Sequence, residues 1–238
     1  MAEEIKISLA QIEVVKGDVA ANLDAHLKMI AQSSKLGADL VVFPELSLTG
    51  YELELAQSLA VVPVADNFSE LSQAAVEFNT AVIAGHPLKN SDEDKPTIGA
   101  VICFPDGRVE FYSKQHLHPG EESYCSPGNE SYLLTLKGRR IGLAVCADFS
   151  APQHAKELVR MGAECYIASA LISEQGFAAD ARILSSIASQ YQIPVLLSNH
   201  ISPTGGWSVC GQNSVWDASG AQILTTGSKE GGCLIFNL

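Results

Sequence analysis

At 238 residues, with 47% hydrophobic and 18% charged side chains, the chain is long enough to bury a large core and too apolar to be disordered. Its formal net charge of −12 argues against a nucleic-acid partner, which needs a basic face, and biases only weakly against highly anionic substrates. No apolar run approaches the length of a membrane span, and Met1-Ala2-Glu3-Glu4 is acidic where an export signal is basic, so a cytoplasmic protein without a membrane partner is expected.

Ile5 to Ile12 alternates as a first strand, with polar Gln11 near its end. Asp18 stands at an N-cap position, Val19, Leu23, Leu27 and Ile30 follow at helical spacing, and Gly37 closes the helix. A second strand over 39–43 runs into Pro44-Glu45. A helix from about Ser69 to Phe78 precedes a strand over Ala81 to Gly85. Pro105-Asp106-Gly107-Arg108 reads as a hairpin turn between strands near 98–104 and 108–113, the second of which delivers Lys114. Lys114 to Asn129 is a long irregular stretch, and loops of that length inside compact domains are usually functional. Strands at 131–136 and 139–145 follow, joined by Lys137-Gly138, and the second ends on Cys146. A helix from Gln153 to Gly162, a strand at 164–169, a helix at 178–191 and a strand at 194–199 come next, before a turn-rich, strand-like tail. No linker or internal repeat interrupts the series, and strands occur both in βα units and as hairpins. The expectation is one α/β domain over 1–238, with two packed mixed sheets and helices outside.

Three of these strands end on side chains with complementary chemistry. Glu45, Lys114 and Cys146 supply an acid, a cation and a thiol, the parts of a covalent acyl-transfer site. A thiol at its ordinary pKa is only slightly ionised near neutrality, so Cys146 needs a base. His154 would lie two helical turns away, whereas Glu45 among Val42, Phe43, Pro44 and Leu46 has the apolar setting that raises a carboxyl pKa. With a thiol present, the better use of Lys114 is as a fixed positive charge at the oxygen that becomes anionic. Asp148 reads as a structural acceptor, since a second carboxylate beside the thiol would oppose its ionisation. Tyr51 either lines a pocket or caps its loop. The six cysteines are scattered without a CxxC pair, so buried free thiols are expected rather than a disulfide framework. His116 and His118, two residues apart with no clear third ligand, suit a loop better than a metal site, and no cofactor is expected.

The run Phe43-Pro44-Glu45-Leu46-Ser47-Leu48-Thr49-Gly50-Tyr51, then Tyr112-Ser113-Lys114-Gln115-His116-Leu117, then Gly142-Leu143-Ala144-Val145-Cys146-Ala147-Asp148 resembles the nitrilase, or carbon–nitrogen hydrolase, superfamily. Pro127-Gly128, Ser198-Asn199-His200 and Gly211-Gln212-Asn213-Ser214-Val215 extend the likeness in order along almost the whole chain. The resemblance implies an αββα sandwich, a Glu45–Lys114–Cys146 triad and a cysteine thioester on the way from an amide to a carboxylic acid. It also implies a second glutamate after the lysine, for which Glu121 fits best and Glu122 is the near alternative. Tyr51, Ala147 and Asn199 become candidates for the substrate pocket. Ala147 replaces a common aromatic residue, Pro152-Gln153 replaces Pro-Glu, and Ser185-Ser186 stands near a frequent Glu-Asn, so the departures bear on specificity.

The function expected is hydrolysis of the C–N bond of a small linear amide. The same triad would also serve an N-carbamoyl hydrolase or a nitrilase, and a non-catalytic binding member of the fold is the reading from another class. A homodimer is expected on resemblance, with Leu158, Val159, Ile183, Leu184 and Ile187 as candidate contacts and core packing as their plain alternative.

Overall fold

Runs such as Leu40-Val41-Val42 and Ala81-Val82-Ile83-Ala84 are apolar at every position, which suits strands covered on both faces. The structure is a computed structural model that describes residues 4–89, 95–227 and 230–238; the acidic start Met1-Ala2-Glu3 lies outside the described residues. The first half of the chain runs β1 (Lys6–Gln11), α1 (Val19–Lys35), β2 (Leu40–Val42), α2 (Ala56–Leu59), α3 (Ser69–Glu77), β3 (Ala81–Leu88), β4 (Thr97–Cys103) and β5 (Val109–Ser113). The second runs β6 (Tyr132–Leu136), β7 (Arg139–Val145), α4 (Pro152–Arg160), β8 (Cys165–Ala170), α5 (Phe177–Tyr191), β9 (Val195–Asn199), β10 (Ser214–Trp216), β11 (Gln222–Thr225) and β12 (Gly232–Asn237).

Two six-stranded sheets result, ordered β12-β1-β2-β3-β4-β5 and β11-β10-β9-β8-β7-β6. Both are mixed. In the first, β1, β2 and β3 are parallel and the rest pair antiparallel; in the second, β7, β8 and β9 play the parallel part. Alternate residues of one strand enter different cores, as the pleat requires. Leu40 and Val42 join Ile83, Leu143, Ile167 and Leu196 between the sheets. Val41 and Val82 pack outward with Ile30 of α1 and Leu71 of α3, while Tyr166 and Ala168 pack outward with Leu158 of α4 and Leu184 of α5. The layers are helix, sheet, sheet, helix.

Asp18 caps α1, its carboxylate accepting from the Ala21 N–H at 3.0 Å. The β6–β7 hairpin turns on Lys137 and Gly138, both at positive φ (48° and 79°), as a tight two-residue turn needs. β3 extends three residues past the expected Gly85. Pro87 is tolerated because β2 pairs only as far as Ile83, so the missing N–H faces no β2 partner while β4 stays paired to Leu88. α2 and the short turns around it were not anticipated from periodicity, because four residues are too few to show one.

Of the helix residues expected to serve dimer contact or core packing, three are taken by the core. Leu158, Leu184 and Ile187 are buried in the chain's own outer core, and Val159 and Ile183 pack against it. No described helix is long and apolar enough to cross a membrane.

Candidate active site

Glu45 follows the end of β2, where the chain must leave the first sheet without pulling away from the second. Three side chains of the second sheet's strands and their ends fasten it. Ser198 Oγ donates to Val42 O (3.0 Å), Ser169 Oγ to Phe43 O (2.7 Å), and His200 Nε2–H to Glu45 O (2.6 Å). Burial lowers the His200 imidazole to about 4, so it is neutral and its Nε2–H is free to donate to the carbonyl. Leu46 then takes φ of 49°, a left-handed conformation that a leucine adopts only when its surroundings enforce it. Gly85 is part of that enforcement: a Cβ there would stand 2.1 Å from Leu46 N, so only glycine lets the loop cross β3. These serines and His200 were not singled out from the sequence, although Ser198-Asn199-His200 was among the runs that carried the resemblance.

Lys114 follows β5 and is fully buried. Its ammonium donates to Glu45 Oε1 and to Glu121 Oε1, each at 2.7 Å. Glu121 also accepts from the Tyr51 hydroxyl on Oε1 (2.5 Å) and from the His118 N–H on Oε2 (2.7 Å). Glu122 is exposed and folds back onto the Gly120 N–H instead. The left-handed Gly120, at φ 101°, starts the turn that separates the two neighbours. Gly128 N donates to Lys114 O at 2.7 Å, and a Cβ on Gly128 would stand 2.3 Å from Ser113 O, so the Pro127-Gly128 step needs its glycine.

Cys146 opens a 3-10 turn (Cys146–Ser150) after β7 and sits at φ 45°. A strained residue at a strand-to-helix turn presents its side chain clear of the sheet, an arrangement recurrent among nucleophiles. Its Sγ lies 3.5 Å from Leu171 O. Asp148 stitches this turn to the Lys114 strand. Its Oδ1 accepts from the Gln115 and His116 N–H groups (3.0 and 2.8 Å), and its Oδ2 from the Tyr112 hydroxyl (2.6 Å) and the Val145 N–H (3.0 Å). That is a structural acceptor with its capacity used. His154 is engaged by the hydroxyls of Tyr112 (3.1 Å) and Tyr166 (3.0 Å).

The electrostatics follow from burial. Desolvation raises the Glu45 carboxyl to about 7, against the pull of Lys114 and with help from Glu121. Burial opposes the Lys114 ammonium, but Glu45, Cys146 and Glu121 outweigh it and its pKa is raised. Burial first and Glu45 second push the Cys146 thiol well above the usual thiol range, so the resting nucleophile is a neutral S–H. Glu45 Oε2 is buried without a hydrogen-bond partner among the described residues. The arrangement therefore holds a neutral thiol, a carboxyl poised near neutrality with one unused oxygen, and a permanent cation.

Cys146, Ala147 and Tyr51 line a cleft of about 230 Å3, with Leu171, Ile172 and Trp207 among its other walls. Asn199 does not line it. Its amide is fully buried, accepting from the Ile172 N–H (2.7 Å) and donating to Gly211 O (2.8 Å), so it ties together backbone behind the wall. His116 and His118 also part company: His116 lies edge-on to His154 and His118 edge-on to Trp207. Among the described residues no group of three His, Cys, Asp or Glu side chains is placed to hold a metal ion.

The carbon-nitrogen hydrolase profile matches residues 6–238. The chain belongs to that family. It is similar to an (R)-stereoselective amidase of a Pseudomonas species, 33% identical over 165 residues, spanning 68% of this chain and 59% of the amidase. It is also similar to a hydrolase in the pqqF 5′ region of Pseudomonas protegens, 30% identical over 234 residues, spanning 95% of this chain and 80% of that one. In three dimensions it matches a nitrilase-superfamily amidase from Nesterenkonia, solved as a cysteine-to-serine mutant, with a TM-score of 0.90 at 25% identity over 98% of this chain and 91% of the other. A glutamate-to-glutamine mutant of that amidase, matched at a TM-score of 0.89 and 25% identity over 98% and 90% of the two chains, carries the acetamide moiety of fluoroacetamide on its active-site cysteine.

In this carbon–nitrogen hydrolase the two neighbouring glutamates should behave differently. Glu121→Gln removes the charge that Lys114, Tyr51 and the His118 N–H converge on, and kcat should fall about tenfold or more, the scale of a lost charge-assisted hydrogen bond. Glu122→Gln alters an exposed turn and should leave kcat/KM within about twofold. Steady-state kinetics of the two purified variants check the pair, and equal losses would remove Glu121 from the site.

Proposed function

We propose that the protein hydrolyses small linear amides through a thioester on Cys146. The observation that carries this reading is the buried Glu45–Lys114–Glu121 cluster directly behind a cleft-lining thiol. Glu45 takes the Cys146 proton as sulfur attacks the amide carbonyl, and the Lys114 ammonium faces the oxygen as it becomes anionic. Glu45 gives that proton to the departing nitrogen, which leaves as ammonia or amine. It then deprotonates the water that attacks the thioester, releasing the carboxylic acid and restoring the thiol. Glu121 positions Lys114, and its partner Tyr51 remains a neutral phenol because burial raises its pKa.

A cleft of about 230 Å3 suits an acyl group of a few carbons rather than a large substrate. The experiment is ammonia release across aliphatic amides, ω-amides, N-carbamoyl compounds and nitriles, with intact-mass detection of the acyl-enzyme. Turnover of amides with a Cys146-linked acyl mass supports the reading; turnover of nitriles alone, or no adduct on Cys146, rejects it.

The acid limb of the pH profile should report Glu45. The carboxyl must be ionised to accept the thiol proton, so kcat/KM should rise with pH and level off above about 7. The same shift has a stability consequence of opposite sense. Folded Glu45 keeps a proton that the unfolded chain has already lost at about pH 4.3, so its contribution to stability is complete below that value and is lost as pH rises through about 7. Rates measured from pH 5 to 9, in roughly unit steps around the Glu45 value, check the limb, and a flat profile across it would remove Glu45 as the base.

A further inference from the structure

The cleft has one wall residue whose charge the proposed reaction does not use. Asp180 stands in the first turn of α5 and lines the cleft together with Cys146. Its carboxylate accepts no side-chain hydrogen bond and forms no ion pair among the described residues, and no lysine or arginine lines the cleft. His118 also lines the cleft and acts on the Asp180 carboxyl electrostatically, while its Nδ1 is directed to Pro119 O at 3.1 Å. Gly176, also on the wall, leaves the carboxylate uncovered; a Cβ there would stand 3.6 Å from Asp180 Oδ2. Trp207 adds an indole that is 43% exposed.

A half-buried carboxylate that shares its cleft with an exposed indole, and with no lysine or arginine, is a site for a cation, which both groups attract. Burial raises the Asp180 carboxyl against the pull of His118, a cost that an arriving ammonium would relieve. The same wall disfavours a carboxylate at that position, because Asp180 repels it and no lysine or arginine lines the cleft to pair with it.

We infer that Asp180 is a specificity-determining residue, selecting amides that carry a protonated amine remote from the scissile carbonyl. The inference rests on the amide-hydrolase reading and narrows it: ω-amides of dicarboxylates and N-carbamoyl amino acids, which bring a carboxylate, are disfavoured.

Three amides of matched length differ only at the far end: δ-aminovaleramide, neutral valeramide and glutaramic acid. In the wild-type enzyme kcat/KM should favour the ammonium compound over valeramide by about tenfold or more, the scale of a charge-assisted hydrogen bond, with glutaramic acid last. Asp180→Asn should bring the ammonium-to-neutral ratio close to one, and Asp180→Lys should place glutaramic acid ahead. Thermal melts establish that both variants fold, and the wild-type ratio decides without them. A wild-type ratio near one, a preference for glutaramic acid, or a ratio unmoved in both variants overturns the inference while leaving an amide hydrolase. If none of the three is turned over, the amide-hydrolase reading is judged on the wider panel, and calorimetric binding of the same compounds to Cys146→Ala and to Cys146→Ala/Asp180→Asn reads the ratio instead. An ammonium preference lost in the double variant supports the site, and equal binding of all three sinks it.

Discussion

Glu45→Gln should reduce amide turnover by at least about 10³-fold while leaving Cys146 able to be acylated by an activated ester. The amide keeps the shape of the side chain and can still accept from Lys114, but has no basic oxygen to take the thiol proton. That proton matters twice, since the resting thiol is neutral and the leaving nitrogen must be protonated. An activated ester expels its own leaving group, so a thioester forms slowly and then waits, because the water that should attack it has lost its base. Intact mass should show an acyl-Cys146 species that accumulates. Ordinary steady-state turnover of amides by Glu45→Gln would end the assignment.

Lys114→Ala should cost about 10²–10³-fold in kcat and should also lower the melting temperature. The first effect follows from the proposed role of Lys114 as the cation at the developing oxyanion. The second comes from what is left behind: Glu45 Oε1 and Glu121 Oε1, both buried and both 2.7 Å from the missing nitrogen. Removing one partner of a buried ionic cluster typically destabilises by about 3–5 kcal/mol, because a charge remains without compensation. Two measurements separate the effects. Adding Glu121→Gln to Lys114→Ala should recover part of the thermal stability and none of the turnover. Lys114→Arg should recover neither fully, since a planar fork cannot occupy a site built for a compact ammonium between two carboxylate oxygens. Near-normal kcat in the alanine variant would show that the positive charge is not used.

Strand ends were the legible part of this molecule. The apolar runs before Glu45 and Cys146 are buried on both faces, so their length and their exits show in composition alone. The structure brings both exits to the Lys114 ammonium, or, for Cys146, into its electrostatic reach. Spacing could not separate Glu121 from Glu122, because one left-handed glycine decides which faces inward, and that glycine is indifferent to either outcome in sequence. Asn199 was misplaced for a related reason. Asn199 and His200 are both buried at the end of β9, and only three-dimensional packing shows that the first serves the backbone behind the wall while the second reaches Glu45 O. Pro87 hid the end of β3, since a proline in a strand is acceptable only where a neighbour stops pairing, and pairing is a property of the sheet. The helix residues offered as a dimer surface had the right chemistry for either fate; only packing shows that the chain's own core claims Leu158, Leu184 and Ile187.

The clamps of Ser169, Ser198 and His200 on the end of β2 also bear on how the enzyme comes into being. They join residues 126 to 156 positions apart along the chain, and the Glu45–Lys114 pair spans a further 69. Contacts of such separation form late, since the entropy of closing long loops is lost before they contribute. Local helices and hairpins can form without assembling the site, for Glu45 and Cys146 belong to opposite sheets. On the roles proposed, Cys146 meets its base only when the two sheets dock, so hydrolytic activity reports the fully assembled sandwich.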